Sequence, residues 1–150
     1  MRLGLISDTH GLLRPEALAF LQGCHRILHA GDICDPSVLR TLSAIAPVTA
    51  VRGNNDTGAW AQALPEAETI EVDGVRLHMV HDLAGLAIDL AAARIQVVVS
   101  GHSHKPRIED RAGVLFVNPG SAGPRRFRLP IALGELVVVD GAVTPRILEL

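Results

Sequence analysis

At 150 residues, the chain fits one domain with a substantial core and is too short for two ordinary ones. Hydrophobic residues make up 48% but aromatics only 3%, with no tyrosine, so the core must be built from Leu, Val, Ile and Ala, as in layered α/β proteins with buried sheets. A formal net charge of -2 gives no global pull toward nucleic acid or anionic membranes, and no apolar run approaches the roughly 20 residues that span a bilayer.

The N-terminal run MRLGLISDTHG has no small-residue cleavage site, so residues 2–7 read as a first strand rather than a signal peptide, pointing to a soluble cytoplasmic protein. Residues 15–22 predict a helix with Pro15 in its first turn, and residues 26–30 a second strand. Asp35 and Pro36 form an N-cap and N1 pair for a second helix, along which Val38, Leu39, Leu42 and Ile45 share a face. Residues 48–51 complete a βαβαβ order, which implies a parallel sheet. Asp73-Gly74 and Asp140-Gly141 are hairpin-turn signals joining residues 69–72 to 75–80 and 136–139 to 143–148. Between these hairpins, Leu83, Leu86, Ala87 and Leu90 predict a helix over 83–94, followed by a buried strand over 96–100. A further hairpin joins 106–109 to 114–117 through Ala112-Gly113. One domain over 1–150, with a parallel half and an antiparallel half, predicts two sheets packed face to face with helices outside. Cys24 and Cys34 form no CxxC pair and read as packing residues.

Seven candidate metal ligands occur in five clusters where predicted strands meet loops: Asp8 and His10, then Asp32, Asn54, His81, and finally His102 and His104. All offer oxygen or imidazole nitrogen, and none is a thiolate. Asp8 and His10 are two apart, so in an extended segment both side chains leave one face and can grip one ion. His102 and His104 repeat that spacing, with Gly101 letting the backbone turn close to the site. Asp32 has two carboxylate oxygens and can bridge two ions, while the neutral Asn54 amide limits the negative charge and leaves room for an anionic substrate. Taken singly, Asp8 and Asp32 read as caps and His81 as a structural histidine; their joint placement at one sheet edge favours a dinuclear hydrolase. His25, His29 and His78 read as structural, with His29 close enough in sequence to support Asp32.

The run Asp8-Thr9-His10, Gly31-Asp32, Gly53-Asn54-Asn55-Asp56, His81 and Gly101-His102-Ser103-His104 resembles the signature of calcineurin-like metallophosphoesterases. Order and spacing are most similar to its small bacterial and archaeal phosphodiesterases, over nearly the whole chain, from Asp8 through Asn118-Pro119-Gly120-Ser121. The resemblance implies a four-layer α/β/β/α sandwich of two mixed β-sheets flanked by helices. It also implies that Asp8, His10, Asp32 and His104 hold one metal, and Asp32, Asn54, His81 and His102 the other. Two positions depart from the pattern. Asn55 stands where longer members have a histidine, and an amide cannot donate a catalytic proton at neutral pH, though it can hydrogen-bond a phosphoryl oxygen. Asp82 follows His81 where glycine is common, and reads as a helix cap.

The expected activity is hydrolysis of phosphodiester, and secondarily phosphomonoester, bonds by a hydroxide bridging two cations about 3.5–4 Å apart. Asp32 would act through the metals, Asn55 on a phosphoryl oxygen and His102 at the leaving group. Nitrogen and oxygen ligands together favour Mn2+, with Fe, Zn, Co and Ni as alternatives, over Ca or Mg. The substrate expected is a small phosphate ester, for which Arg52, Arg107, Arg125, Arg126 and Arg128 are candidate contacts, the Arg125-Arg126 pair being best placed. Exposed apolar edges leave room for a homodimer or tetramer. The rival readings are a non-catalytic metal-binding or scaffold protein of the same fold, an amidohydrolase barrel, which needs about 250 residues, and a nucleotide binder, for which the first turn lacks GxGxxG or a Walker sequence.

Overall fold

The computed structural model describes residues 1–150, along which ten strands and three short α-helices follow one another. The first stretch is β1 (Arg2–Ile6), α1 (Pro15–Leu21), β2 (Arg26–His29), α2 (Pro36–Ser43) and β3 (Val48–Ala50), with the three strands parallel as the βαβαβ pattern predicts. Asp35 caps α2 by accepting the Ser37 N–H at 2.9 Å, and Pro36 occupies the first turn, where no amide hydrogen is missed. A one-turn helix, α3 (Ala59–Gln62), has no counterpart in the sequence reading. Then come β4 (Ala67–Val72), β5 (Val75–Val80), β6 (Val97–Val99), β7 (Arg107–Arg111), β8 (Val114–Asn118), β9 (Ala132–Val139) and β10 (Ala142–Glu149).

Both sheets are five-stranded and mixed, with orders β10-β9-β1-β2-β3 and β4-β5-β6-β8-β7. The two halves of the chain therefore do not make one sheet each. The β9–β10 hairpin returns to the first sheet, where Leu136 pairs antiparallel with Leu3 on the edge of β1 that β2 leaves open. In the second sheet β5, β6 and β8 are parallel, and the antiparallel strands β4 and β7 form its edges.

Alternation along the strands builds a double-sided core. Leu3, Leu5, Leu28, Leu136 and Val138 of the first sheet meet Leu77, Met79, Val97, Val99 and Val117 of the second in one buried cluster. Each such side chain contributes about 1.5–3 kcal/mol on burial, so the inter-sheet seam is the main cohesive layer. On the outer face of the first sheet, Ala17 and Leu21 of α1 and Val38 and Leu42 of α2 cover Ile6, Ile27 and Leu133.

The outer layer over the second sheet differs from the helix expected over 83–94. Only a single 3-10 turn forms there, Leu83–Gly85, and residues 86–94 run as irregular turns. Two aspartates divide the segment: Asp82 accepts the Ala84 N–H at 3.1 Å, and Asp89 accepts the Ala92 N–H at 3.1 Å. Such side-chain bonds start new turns at the expense of helix continuity, and Gly85 weakens the helix between them. The apolar periodicity still serves its purpose, because Leu83, Leu86, Ile88, Leu90 and Ala93 pack on Ile95, Val98 and Phe116.

Candidate active site

The C-terminal ends of β1, β2, β5 and β6, with the loop after β3, bring all seven candidate ligands to one rim where the sheets meet. Asp8, His10 and His104 form one group, and Asp8, Asp32 and His81 another, with ligand atoms in each group within 4.8 Å of one another. Asp32 lies between the histidines of the two groups: its Oδ2 is 3.7 Å from His10 Nε2 and 3.4 Å from His81 Nε2. Asn54 Oδ1 lies 3.0 Å from His81 Nε2 and 3.1 Å from His102 Nδ1, extending the second group outward. Asp8, Asp32, His81 and His104 are buried, whereas Asn54 and His102 are exposed, so the cluster is open on the Asn54–His102 side.

The backbone reaches this arrangement by a route that spacing alone does not give. Asp8, His10, Asp32, His102 and His104 all have positive φ, between 46° and 69°, so the paired ligands project from left-handed turns rather than extended strands. Such conformations persist only where surrounding bonds over-determine them. The Asp8 N–H donates to Gly31 O at 2.9 Å, His10 N–H to Asp32 O at 3.0 Å, and His102 N–H to the Asp8 carboxylate at 3.1 Å. Two glycines permit the close approach: a Cβ on Gly101 would lie 2.1 Å from Ser7 Oγ, and one on Gly53 2.2 Å from Asp32 Oδ1.

Around the ligands lies a supporting set. The His81 Nδ1–H donates to Ala30 O at 2.7 Å, which turns Nε2 toward the carboxylates. The Asn55 N–H and Nδ2 donate to Asp32 Oδ1 and Oδ2 at 2.9 and 3.0 Å. Asn55 therefore clamps the central carboxylate, a contact that the sequence alone does not indicate. The His29 Nε2–H donates to Thr9 Oγ at 3.0 Å, because its Nδ1 already accepts the Gly31 N–H. This fully buried ring joins the Asp8–His10 turn to the Gly31–Asp32 turn, and burial pushes its pKa down to about 3, keeping it neutral.

The sequence reading gave Asp56 no role, yet its buried carboxylate accepts the backbone N–H groups of Asp32, Ile33, Cys34 and Gly53 at 2.8–3.0 Å. Its place in Gly53-Asn54-Asn55-Asp56 is the only signal that could have found it. Cys24 is buried as expected, but Cys34 is exposed, with Sγ 3.5 Å from His10 Nδ1. Among the arginines, Arg52 pairs with Glu66 at 2.9 Å, Arg107 with Glu109 at 2.9 Å, and Arg125 donates to Leu129 O at 3.3 Å. Arg126 stands close enough to His104 for its charge to act on that ring.

The donor set fits metal cations on electrostatic grounds. Asp8 Oδ1, His10 Nε2 and His104 Nδ1 are buried without hydrogen-bond partners, a costly state for polar atoms unless an ion or proton lies among them. With its Nδ1–H committed to Ala30, the neutral His81 ring directs a lone pair at the oxygens of Asn54, Asp32 and Asp8. Burial alone would lower the His81 pKa, but the hydrogen bond to Asp32, the Asp8 charge and the Ala30 carbonyl raise it overall. The anions around the ring thus favour positive charge at this position, which a bound cation would supply. At Asp32 burial acts to raise the pKa, yet bonds from His81 and Asn55 outweigh it and hold the carboxyl far below its usual range, ready to ligate as an anion. Asp8 is shifted upward, chiefly by burial, against the Ser7 hydrogen bond and the His81 and His104 charges.

The chain is similar in sequence and in fold to known proteins. A probable metallophosphoesterase of Methanothermobacter thermautotrophicus is 33% identical over 94% of this chain and 87% of its own length. In three dimensions the chain superposes with a TM-score of 0.86 on Vps29 of Chaetomium thermophilum, at 18% identity over 100% of this chain and 91% of that one. It superposes with a TM-score of 0.81 on an archaeal phosphodiesterase, at 22% identity over 99% and 100% of the two chains. The sequence pattern of the calcineurin-like phosphoesterase superfamily domain matches residues 1–140, and the chain belongs to that superfamily.

Proposed function

We propose that the protein is a dinuclear-metal phosphoesterase acting on phosphodiesters. The observation that carries this reading is the Asp32 carboxylate, flanked by His10 and His81 within 3.7 Å and surrounded by buried polar atoms that lack partners. Asp8, His10, Asp32 and His104 would hold one divalent ion, and Asp32, Asn54, His81 and His102 the other. When bound, two such ions supply an acidified water as nucleophile and neutralise charge on the phosphoryl oxygens. The chain's own residues do the rest. Asn55 and Asp56 fix Asp32 and its loop, Ala30 orients His81, and His29 joins the two turns that carry Asp8 and Asp32. His102 is exposed at the open side, with Nε2 3.6 Å from Asp82, a position from which it can reach a leaving group. His81, the other imidazole beside Asn54, is buried among the ligands, and position 55 is an amide, so no second exposed imidazole shares that task. Catalysis is therefore expected to favour good leaving groups. Mn2+ is the first choice among Mn, Fe, Zn, Co and Ni.

The archaeal phosphodiesterase supports the diester preference, and the Vps29 structures keep a second, non-catalytic scaffold reading in view. The complete ligand set favours catalysis. The test is turnover of bis(4-nitrophenyl) phosphate with added Mn2+, compared with 4-nitrophenyl phosphate and a methyl-arm diester. Metal-dependent hydrolysis that falls at least a hundredfold in Asp32→Asn is expected. No turnover of any phosphate ester with any of the five metals would leave the scaffold reading standing.

A further inference from the structure

A cavity of about 230 Å³ opens next to His102 on the outer face of the second sheet, between the Asp82–Leu83 turn and β7. It lies beside the segment where the expected 83–94 helix gives way to irregular turns. Alternate residues of β7 share one face, and there Glu109 reaches Arg107 at 2.9 Å and Arg111 at 3.1 Å. Arg111 also lies over the Phe116 ring, 4.6 Å from its centroid, so both guanidinium groups are held in place. Lys105 lines the same cavity and makes no ion pair. Its N–H donates to Ser103 Oγ, which also accepts from Asn118 Nδ2, tying the start of this cationic row to the loop that carries His102 and His104.

The charges have a definite valence. Lys105, Arg107 and Arg111 share the cavity wall with two carboxylates, Glu109, which both arginines hold, and Asp82 of the opposite turn. About one positive charge is left over in a protein whose formal net charge is -2, and Lys105 is the cation with no ion-pair partner, so the cavity favours an anionic group such as a phosphate. Arginine's planar fork suits phosphate oxygens better than a point charge does. A charged row on an edge strand also guards against strand pairing. That role, however, requires neither a cavity with an aromatic wall nor continuity with the ligand loop.

We infer that this cavity is a subsite for one arm of the substrate, taking an arm that ends in a second phosphate group, with Lys105 and Arg107 as its specificity-determining residues. The inference rests on the phosphodiesterase reading and narrows it to diesters carrying a terminal phosphate. The test compares dithymidine monophosphate with its 5′-phosphorylated and 3′-phosphorylated forms, using the Mn2+-loaded protein. In the native protein, one terminal phosphate is expected to lower KM at least tenfold. In Lys105→Ala/Arg107→Ala that gain disappears, so that the KM values of the phosphorylated and unphosphorylated dimers converge to within twofold of one another. Equal KM values for all three dimers, or a gain that survives the double substitution, overturns the subsite. Aggregation of the variant with the gain intact overturns it too, and assigns the row to edge protection. Should no diester be cleaved, calorimetric titration of the same three ligands separates the two readings. A tenfold tighter binding of a phosphorylated dimer that the variant loses sustains the subsite without the activity, and equal affinities remove both.

Discussion

Four backbone N–H groups converge on the Asp56 carboxylate, three of them from the loop that carries Asp32 and the fourth from Gly53. Asp56→Ala would leave those donors unsatisfied in a buried setting, at about 1–3 kcal/mol for each one that water fails to reach. The expected outcome is a loss of at least about 3 kcal/mol in urea unfolding of the metal-free protein, together with at least tenfold weaker Mn2+ binding by calorimetry. Native-like values in both measurements would deny Asp56 its bracing role. At this scale the ligand types were legible in the sequence, because oxygen and imidazole donors recur at strand ends. Their backbone was not. The spacing of Asp8 and His10 predicted an extended segment, whereas both residues are left-handed, held so by amide bonds to the neighbouring Gly31–Asp32 turn. Local spacing carries no information about a restraint supplied from another loop. Asn55 teaches the same lesson, since its amide serves Asp32 23 residues away.

Among the elements, the 83–94 segment offers a test in which the sign of the effect decides. In a continuous helix, exposed Asp89 would be an interior residue, and Asp89→Ala would stabilise by up to about 0.7 kcal/mol through helix propensity. In the structure Asp89 caps a separate turn by accepting the Ala92 N–H. Losing such a cap costs about 0.5–2 kcal/mol, so Asp89→Ala is expected to destabilise by about 1 kcal/mol in urea unfolding, with no gain in helical circular dichroism. A rise in stability with added helicity would restore the continuous helix. Apolar periodicity found three of the packed residues, Leu83, Leu86 and Leu90, but Ala87 is exposed and Ile88 packs instead, and the conformation differs because capping aspartates and an interior glycine compete with propagation. The hairpins were legible, since Asp73-Gly74 and Asp140-Gly141 specify their turns locally. The sheet that receives each hairpin was not. Only the open edge of β1, a long-range property, assigns β9 and β10 to the first sheet.

For the whole molecule, the candidate ligands come from both halves of the sandwich. Asp8 and Asp32 follow strands of the first sheet, Asn54 lies in the loop after β3, and His81, His102 and His104 follow strands of the second. A cation held by Asp32 and His81 would therefore fasten one sheet to the other across the rim of the hydrophobic seam. The unfolded chain scatters these donors over nearly a hundred residues and has no comparable site, so binding adds directly to folding stability. With free Mn2+ at 100 times its dissociation constant, the gain is about 2.7 kcal/mol, which for a chain of this length raises Tm by about 5–10 °C. The expected observation is a Tm that climbs with the logarithm of Mn2+ concentration and returns to the metal-free value on chelation. Asp32→Ala should lose most of the increment, because both ion positions share that carboxylate, whereas Lys105→Ala, outside the ligand set, should keep it. A Tm independent of every divalent cation tried would mean that the rim does not bind metal, and the dinuclear reading would fall with it.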